Sequence, residues 1–450
     1  MLYYSTNKKT ARVNFRDALL KGLAEDGGLY LPETIPQISL AEITTLKELD
    51  YTEIAFRVVN KFLADEIPEE DLRRLITDAY NYPVPLEKVF DRNYVMRLDQ
   101  GPTASFKDFA ARLMGRLMQF YLALKQSKLL ILTATSGDTG SAIANAFYGL
   151  DNIDVVVLFP KMEVTARQRK QMTTLGKNVE IISIEGKFDD CQALVKKAFI
   201  DPELTHLPLS SANSINIGRL LPQTIYYFYA YAKLFEKEGE QVVFSVPSGN
   251  FGDLMGGLIA KHMGLPVHKF VVATNENDEF PRYIETGEYR VISPSRNCIS
   301  SAMNVGHPSN VARLIALYGG NMNEKGDILE PADLNKIRQD MYAISITDKE
   351  TEETISKEWQ EHRLLLEPHG AVGWAGLLRY LQDNPQDTER ICVSLETAHP
   401  AKFPEKIQEL LKLDPPLPPS LQGLDEKEEF IIPLKGDYQS FVKFLQDNYR

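Results

Sequence analysis

Residues 241–264, QVVFSVPSGNFGDLMGGLIAKHMG, decide the fold. In this stretch a continuous apolar run is followed by a glycine-bearing loop, and the loop leads into a segment with helical spacing of apolar residues. The same order occurs at residues 129–147, LLILTATSGDTGSAIANAF. A buried strand that runs through a glycine loop into a helix is typical of parallel α/β sheets. Each loop offers free backbone N–H groups and a positive dipole end, which can hold a phosphate or a carboxylate.

Strand-like and helix-like segments alternate on both sides of these two stretches. Further apolar runs lie at residues 93–98, 154–160, 269–275 and 391–397. Residues 107–126 have the apolar spacing of a helix. This alternation predicts an α/β fold with a mostly parallel sheet that is covered on both faces. The first 80 or so residues are mostly helical in pattern, and Pro83 and Pro85 indicate a domain boundary after them.

Composition and charge exclude several classes of protein. The chain has 450 residues, and its 50 Lys and Arg against 62 Asp and Glu give a net charge of −12. That balance argues against a broad nucleic-acid surface, although one cationic pocket for a phosphorylated metabolite remains compatible with it. The three cysteines, Cys191, Cys298 and Cys392, form no CxxC pair, and no apolar run is long enough to span a membrane. We therefore expect a cytoplasmic enzyme without nucleic-acid or membrane partners.

Neither glycine loop matches a dinucleotide-binding or P-loop motif. The chain contains no GxGxxG, and GPTASFK at residues 101–107 lacks the second glycine of a P-loop. The seven histidines show no HExxH spacing, so we expect no metal site. A simpler alternative for either loop is a tight turn followed by a helix whose first turn contains Asp138 or Asp253.

Lys107 stands at the predicted start of a helix, where the helix dipole disfavours a cation. Phe106 and Phe109 flank it. A lysine in an apolar, electropositive site has a lowered pKa and can act as a nucleophile or a Schiff-base amine. Charge and spacing alone favour a simpler alternative, in which Lys107 pairs with Asp108 or extends to the solvent.

Seven motifs, taken in order, resemble those of the threonine synthase family in its longer type, which has an extra N-terminal domain. They are GPTASFKD (101–108), TATSGDTGSA (133–142), SSANSINIGRLLPQ (210–223), SVPSGNFGD (245–253), ATNEND (273–278), EPHGAVG (367–373) and LETAHPAKF (395–403). The similarity extends from GLAEDGGLYLP, which begins at residue 22, to residue 403. The family consists of enzymes that use pyridoxal 5'-phosphate (PLP) and have the tryptophan-synthase-β type of fold, known as fold type II.

The resemblance implies two α/β domains with mostly parallel sheets and a small helical N-terminal domain. We expect the N-terminal domain at residues 1–85. The larger, PLP-binding domain is expected at 86–126 and 212–450, and the smaller domain, which carries the SGDTG loop, at 127–211.

The resemblance also implies a role for each motif. Lys107 carries PLP as a Schiff base, and Thr397 hydrogen-bonds the pyridine nitrogen. The cofactor phosphate binds the loop of Ser248, Gly249, Asn250, Phe251 and Gly252, with Asp253 opening the helix behind it. The substrate α-carboxylate binds backbone amides of the SGDTG loop, Ser136, Gly137, Asp138, Thr139 and Gly140. The lysine motif of the family often reads GPTLAFKD, whereas Ala104 and Ser105 occupy its middle here.

The implied reaction converts O-phospho-L-homoserine and water to L-threonine and phosphate, the last step of threonine biosynthesis. The leaving phosphate needs a cationic partner, and Arg112 and Arg219, with Asn216 near the latter, are the candidates. A surface ion pair is the simpler alternative for each arginine. One alternative function is a PLP-dependent phospho-lyase that yields 2-oxobutyrate, ammonia and phosphate. A nucleotide-binding regulatory protein is another. We expect a monomer or a weak homo-oligomer.

Overall fold

The computed structural model describes residues 1–135, 137–162 and 164–449, except for the side chain of Asp189. The N-terminal region combines helices with a small antiparallel sheet of order β2-β1-β3. Its elements are β1 Leu2–Ser5, β2 Val13–Asn14, α1 Phe15–Lys21, β3 Tyr30–Pro32, α2 Leu40–Thr45, α3 Tyr51–Leu63 and α4 Glu69–Ala79. The sequence predicts the helices but not this sheet, because its strands are only two to four residues long.

The next segment leads from a hairpin into the helix that Lys107 begins. Its elements are β4 Leu86–Phe90, β5 Asn93–Arg97 and α5 Lys107–Lys125. The helix is nearly all buried along its first twelve residues, as the apolar spacing of residues 107–126 predicts.

A smaller α/β unit follows, in which strands and helices alternate. Its elements are β6 Leu129–Ala134, α6 Asp138–Phe147, β7 Ile153–Pro160, α7 Ala166–Thr173, β8 Val179–Ile184, α8 Phe188–Phe199 and β9 Leu209–Ser210. All six residues of β6 are buried. That burial agrees with a parallel strand covered on both faces.

The remaining chain builds most of the larger unit. Its elements are α9 Ile217–Leu220, α10 Ile225–Leu234, β10 Val242–Pro247, α11 Gly252–His262, β11 Val267–Thr274, α12 Glu279–Thr286, α13 Val311–Leu317, β12 Asn321–Met322, β13 Ile328–Glu330, α14 Leu334–Asp340, β14 Met341–Ser345, α15 Asp348–His362, α16 Pro368–Asp383, β15 Ile391–Glu396, α17 Pro404–Leu411, β16 Ile432–Leu434 and α18 Tyr438–Asn448. Short 3-10 turns lie at Leu46–Glu48, Pro202–Leu204, Leu221–Thr224, Ser301–Met303, Pro385–Asp387, Pro400–Lys402, Pro419–Leu421 and Leu424–Glu426.

Two larger sheets form the framework of the molecule. The first has six strands in the order β14-β11-β10-β15-β5-β4, and only the β4–β5 pair is antiparallel. The second has five parallel strands in the order β16-β8-β7-β6-β9. Loops that bind ligands in such sheets lie beyond the carboxyl ends of the strands. Both glycine loops and Thr397 follow such ends. Within the described residues, no helix is both long and apolar enough to cross a membrane.

The C-terminal segment corrects the domain assignment made from the sequence, which placed residues 212–450 wholly in the larger domain. Strand β16 pairs with β8 of the smaller sheet, and Phe441 and Leu445 of α18 pack into the core of the smaller unit. A three-residue strand with a central proline carries no strand periodicity, so its partner could not be inferred from the pattern.

Candidate active site

The loop before Lys107 is held against the segment that follows β15. The N–H of Phe106 donates a hydrogen bond of 2.8 Å to the carbonyl oxygen of Thr397. The N–H of His399 donates one of 3.0 Å to the carbonyl oxygen of Ala104. Lys107, the first residue of α5, and Thr397 are thereby brought together from parts of the chain almost 300 residues apart.

Asp108 holds this loop in shape from inside the helix. Its carboxylate accepts hydrogen bonds from the N–H and the hydroxyl of Thr103, at 2.8 and 2.7 Å. Among the described residues Asp108 forms no salt bridge with Lys107. The pairing that charge and spacing favoured is therefore not formed.

Lys107 lies in a cluster of charged groups from four other segments. Burial lowers the pKa of Lys107 to about 8, and the Asp138 carboxylate opposes that shift while the Lys402 and Arg219 cations add to it. Asp253 opposes it as well. At neutral pH a lysine with this pKa holds a proton that it can release readily, which is the behaviour required of a Schiff-base and proton-transfer lysine.

The SGDTG loop connects β6 to α6, and its first residue, Ser136, lies outside the described residues. The Thr135 hydroxyl accepts hydrogen bonds from the N–H groups of Gly137 and Gly140, at 2.9 and 2.8 Å. Gly137 has a φ of +142°, a conformation that favours glycine. The N–H groups of Asp138 and Thr139 have no backbone or side-chain acceptor among the described residues. Among the four described residues of the loop, Asp138 and Thr139 are therefore the two whose N–H groups are available to an anion at the helix N-terminus.

Asp138 forms a buried ion pair across the two units. Its carboxylate lies 2.6 Å from Lys402 Nζ and accepts a hydrogen bond of 2.9 Å from Gln168 Nε2. Lys402 also donates to the carbonyl oxygen of Thr103 at 2.8 Å. Burial alone raises the pKa of Asp138, but the Lys402 and Lys107 cations outweigh it and hold that pKa well below its usual value. Asp138 is therefore an anion throughout the physiological pH range.

The loop between β10 and α11 is tightly packed on one side. A Cβ atom added at Gly249 would lie 3.0 Å from both the carbonyl oxygen of Ala302 and the Cα of Met303. Phe251 adopts a left-handed φ of +63° at the start of α11, and its ring packs on Phe280 with centroids 4.9 Å apart. Gly252 is the first residue of the helix. The loop thus turns sharply, and a side chain at Gly249 would force its neighbours to shift.

Polar side chains of the same loop fix its path. Ser248 donates through its hydroxyl to the carbonyl oxygen of Val246 at 2.9 Å. Asn250 donates to the hydroxyl of Ser214 and accepts from the N–H of Ser309 at 2.6 Å. The loop is therefore connected to the segment that leads to Arg219.

Asp253 is buried in the first turn of α11. Burial raises its pKa to about 7, although a backbone N–H bond from Leu254 and the Lys107 cation favour the ionised form. At neutral pH the carboxyl is only partly ionised, so it carries less negative charge than Asp138.

The two candidate arginines have different surroundings. Arg112 donates to the carbonyl oxygens of Ala79 and Asp78, at 2.6 and 2.7 Å, and so caps the end of α4. Arg219 donates to the carbonyl oxygen of Ala212 at 2.8 Å, and its buried Nε has no hydrogen-bond partner among the described residues. Burial lowers the pKa of Arg219 to about 10, so it stays cationic at neutral pH. Only Arg219 combines a charge in the Lys107 cluster with an unused donor.

Asn216 serves the backbone rather than an open site. Its amide donates to the carbonyl oxygens of Leu19 and Ser211, both at 2.9 Å, and its oxygen caps α9 at the N–H of Gly218. Sequence reasoning missed Lys402 and Thr135. Both stand inside motifs quoted for the resemblance, and that position was the only signal available for them.

Comparisons with known proteins cover the whole chain. A family model described as "Threonine synthase N terminus" matches residues 2–80, "Pyridoxal-phosphate dependent enzyme" matches 83–396, and "Threonine synthase, C-terminal" matches 370–444. The chain is 42% identical to the threonine synthase of Haemophilus influenzae, over 99% of both chains, and 41% identical to that of Escherichia coli K12, over the full length of both. The chain belongs to the threonine synthase family. A crystal structure of PLP-bound threonine synthase from Brucella melitensis matches all of both chains with a TM-score of 0.93 at 37% identity.

The site has the features that PLP requires in this threonine synthase fold. Lys107, whose pKa is lowered, interacts with charged residues at the N-termini of α6 and α11. The loop before α11 lies so close to Met303 that a side chain at Gly249 would force its neighbours to shift. The buried polar atoms that lack a hydrogen-bond partner among the described residues include Ser105 Oγ, Asn213 Oδ1 and Arg219 Nε, which lie in motifs assigned to the site. Buried polar groups are nearly always paired, so these atoms indicate a polar ligand. The expectation from the sequence therefore remains that Lys107, the loop 248–252 and Thr397 would hold PLP.

Proposed function

We propose that this member of the family converts O-phospho-L-homoserine and water to L-threonine and phosphate, with the site residues acting as the resemblance implies. One observation carries the proposal. Lys107, Lys402 and Arg219 are brought into one cluster, in which the Asp138 carboxylate is already paired with Lys402 and burial raises the pKa of Asp253 to about 7. A cationic excess in a buried site suits a substrate with both a carboxylate and a phosphate.

PLP, when bound, supplies an electron sink that lets protons leave Cα and Cβ of the substrate. Lys107 is proposed to hold PLP and then, once displaced by the substrate amine, to move protons at Cα and Cβ. A pKa of about 8 supports this task, because a general base works best when its pKa lies near the working pH. Thr397 would donate or accept a hydrogen bond at the pyridine nitrogen without fixing a full positive charge there.

The N-terminus of α6 is proposed to bind the substrate α-carboxylate. The N–H groups of Asp138 and Thr139 and the dipole of the helix support this role. The Asp138 carboxylate points away to Lys402 and Gln168, so its charge is neutralised before the substrate arrives.

Arg219 is proposed to bind the phosphate that leaves from Cγ. Its unused Nε and its burial support a charge-assisted contact, which is strongest where water is excluded. Arg112 is bound to two carbonyl oxygens of α4. We therefore propose that Arg112 stabilises the fold and that Arg219 binds the phosphate.

We also propose that the enzyme is located in the cytoplasm. We propose further that it is a monomer or a weak homo-oligomer. Three cysteines spread along the chain without a CxxC pair support a reducing compartment. Light scattering on the purified protein measures the oligomeric state.

The test of the reaction is product analysis in water labelled with oxygen-18. We expect equal amounts of phosphate and threonine, with one labelled oxygen in the threonine side chain, because water adds at Cβ. The variant Lys107→Ala serves as the control without turnover. If 2-oxobutyrate and ammonia accumulate in place of threonine, the chain is a phospho-lyase and the proposed function is wrong.

A further inference from the structure

Lys402 is a fully buried cation whose ammonium group contacts two separate segments of the active site. Its side chain is 0% exposed. It belongs to the 3-10 turn Pro400–Lys402, and its ammonium group lies 2.6 Å from the carboxylate of Asp138 and donates to the carbonyl oxygen of Thr103 at 2.8 Å. Asp138 begins α6 of the smaller unit, and Thr103 belongs to the loop that leads to Lys107. One ammonium group therefore fixes the distance between the SGDTG loop and the Lys107 loop.

We propose that Lys402 is a positioning residue of this active site. It holds the N-terminus of α6 at a fixed position relative to Lys107, and it neutralises Asp138 so that an anionic substrate can approach. This inference rests on the roles proposed above for Lys107 and the SGDTG loop. Lys402 acts through Asp138 and Thr103 and needs no direct contact with the substrate.

Neighbouring contacts support a junction built between the two units. Gln171 of α7 donates to the same carbonyl oxygen of Thr103 at 3.0 Å. Arg167 of α7 donates to the carbonyl oxygen of Ala401, the residue before Lys402. Among these contacts, the Lys402–Asp138 pair is the one in which both members carry a charge. The geometry of this pair therefore determines both the position of the SGDTG loop and the net charge beside Lys107.

The charges around the pair determine what its loss does to Lys107. Lys107 is faced by Asp138 from α6, Lys402 from the 3-10 turn, Arg219 from α9 and Asp253 from α11. Loss of the Lys402 cation removes one of the charges that lower the pKa of Lys107. It also leaves Asp138 without its closest cation, so the carboxylate acts on Lys107 undiminished. Both changes raise the pKa of Lys107.

Groups beyond Lys107 respond to Lys402 as well. His399 in the same segment has a pKa lowered to about 4, first by burial and then by the Arg97 and Lys402 cations. Asp108 in α5 has a pKa raised by burial and opposed by Lys402. His399 therefore stays neutral between pH 6 and 10 and does not contribute to a titration in that range, whereas Asp253, with a pKa of about 7, ionises at its lower end.

The experiment follows the absorbance of PLP bound to the holoenzyme, without substrate, as a function of pH. The transition reports protonation of the Schiff-base nitrogen on Lys107, which the neighbouring charges favour or oppose with the same sign as for the free amine. We expect Lys402→Met to move the midpoint of the transition up by about one pH unit or more, because one nearby charge shifts a pKa by that amount. Asp138→Asn should move the midpoint down, because it removes an anion and leaves the cation. The double variant should fall between the two. Lys406→Met, four residues further on at a surface pair with Glu352, should leave the midpoint unchanged.

Binding of threonine, measured from the same absorbance, gives the second readout. We expect Lys402→Met to weaken threonine binding by about thirtyfold or more, because it leaves a buried carboxylate uncompensated beside the carboxylate site. If Lys402→Met does not fold, Asp138→Asn and the double variant still give the predicted order of midpoints. Shifts of the same sign in both single variants, or no shift in any, would overturn the inference. A wild-type protein without a PLP band would instead contradict the proposed function itself.

Discussion

The side chain of Asn250 donates a hydrogen bond to the hydroxyl of Ser214, and this contact joins the two phosphate-binding regions proposed for the site. Asn250 belongs to the loop before α11, and Ser214 precedes Arg219 by five residues. Asn310 extends the junction, because its amide donates to the backbone carbonyl oxygens of both residues, at 2.9 and 3.3 Å. A substitution that displaces one of these phosphate-binding regions should therefore also alter ligand binding at the other, unless the substitution removes only a single contact.

Lys107→Ala should abolish turnover while the fold is preserved. Alanine suits the first turn of α5, and the amine itself anchors no other segment through a salt bridge among the described residues. The measurement is threonine formation beside a thermal melt. Lys125→Ala, at the exposed end of the same helix, is the matched control and should keep full activity. Substantial turnover by Lys107→Ala would contradict the assignment of the lysine.

Gly249→Val should weaken PLP binding about tenfold or more, with little change in turnover per bound cofactor. The added side chain meets the backbone of Ala302 and Met303 at 3.0 Å, and overpacking of this kind costs about 1–3 kcal/mol. Equilibrium dialysis measures the affinity. Gly249→Ala should lie between wild type and Gly249→Val. An affinity unchanged by both substitutions would move the cofactor phosphate to another loop.

Arg219→Ala and Arg112→Ala should separate the two arginines. We expect Arg219→Ala to lose about thirtyfold to several-thousandfold in kcat/KM with O-phospho-L-homoserine, yet to bind threonine almost as well as wild type. Arg112→Ala should instead lower the free energy of unfolding by about 1–3 kcal/mol, because the carbonyl oxygens of Asp78 and Ala79 lose their donor. Equal losses with both ligands in Arg219→Ala would indicate a structural arginine.

Thr135→Val should weaken binding of both threonine and O-phospho-L-homoserine, by roughly tenfold. The N–H groups of Gly137 and Gly140 lose their shared acceptor, and a loop with two unpaired donors costs about 1–3 kcal/mol to hold. Thr133→Val, in the strand β6 that precedes Thr135, is the control, because the buried Thr133 hydroxyl has no partner among the described residues. That substitution should be neutral or stabilising. Similar effects of both variants would show that the hydroxyl of Thr135 does not organise the loop.

Asp253 should make the protein less stable as the pH rises from 4 to 7. Burial raises its pKa in the folded state to about 7, above its value in the unfolded chain, so within this window the folded state binds the extra proton. Its contribution falls by up to about 1.4 kcal/mol for each pH unit, and the loss is complete above the folded pKa. Asp253→Asn should flatten this part of the stability profile and raise the melting temperature at pH 8. Melts across the pH range, with PLP saturating, test this, and parallel profiles would contradict it.

The sequence predicted the parts of the site that lie within one motif. Lys107 at a helix start, and both glycine loops after buried strands, follow from local patterns and from the resemblance. The ion pair of Lys402 with Asp138 could not be predicted, because no local pattern brings together residues 264 positions apart. For the same reason Arg112 and Arg219 were equivalent candidates until the fold showed which of them α4 engages.

The most direct measurement of the central claim is borohydride reduction of the holoenzyme, followed by mass spectrometry of its peptides. Reduction fixes the cofactor on the lysine that carries it. We expect the reduced cofactor on the peptide that contains Lys107, and we expect the yellow colour and the activity to be lost together. Label on another lysine, above all on the buried Lys402 beside it, or no label at all, would show that Lys107 does not carry PLP.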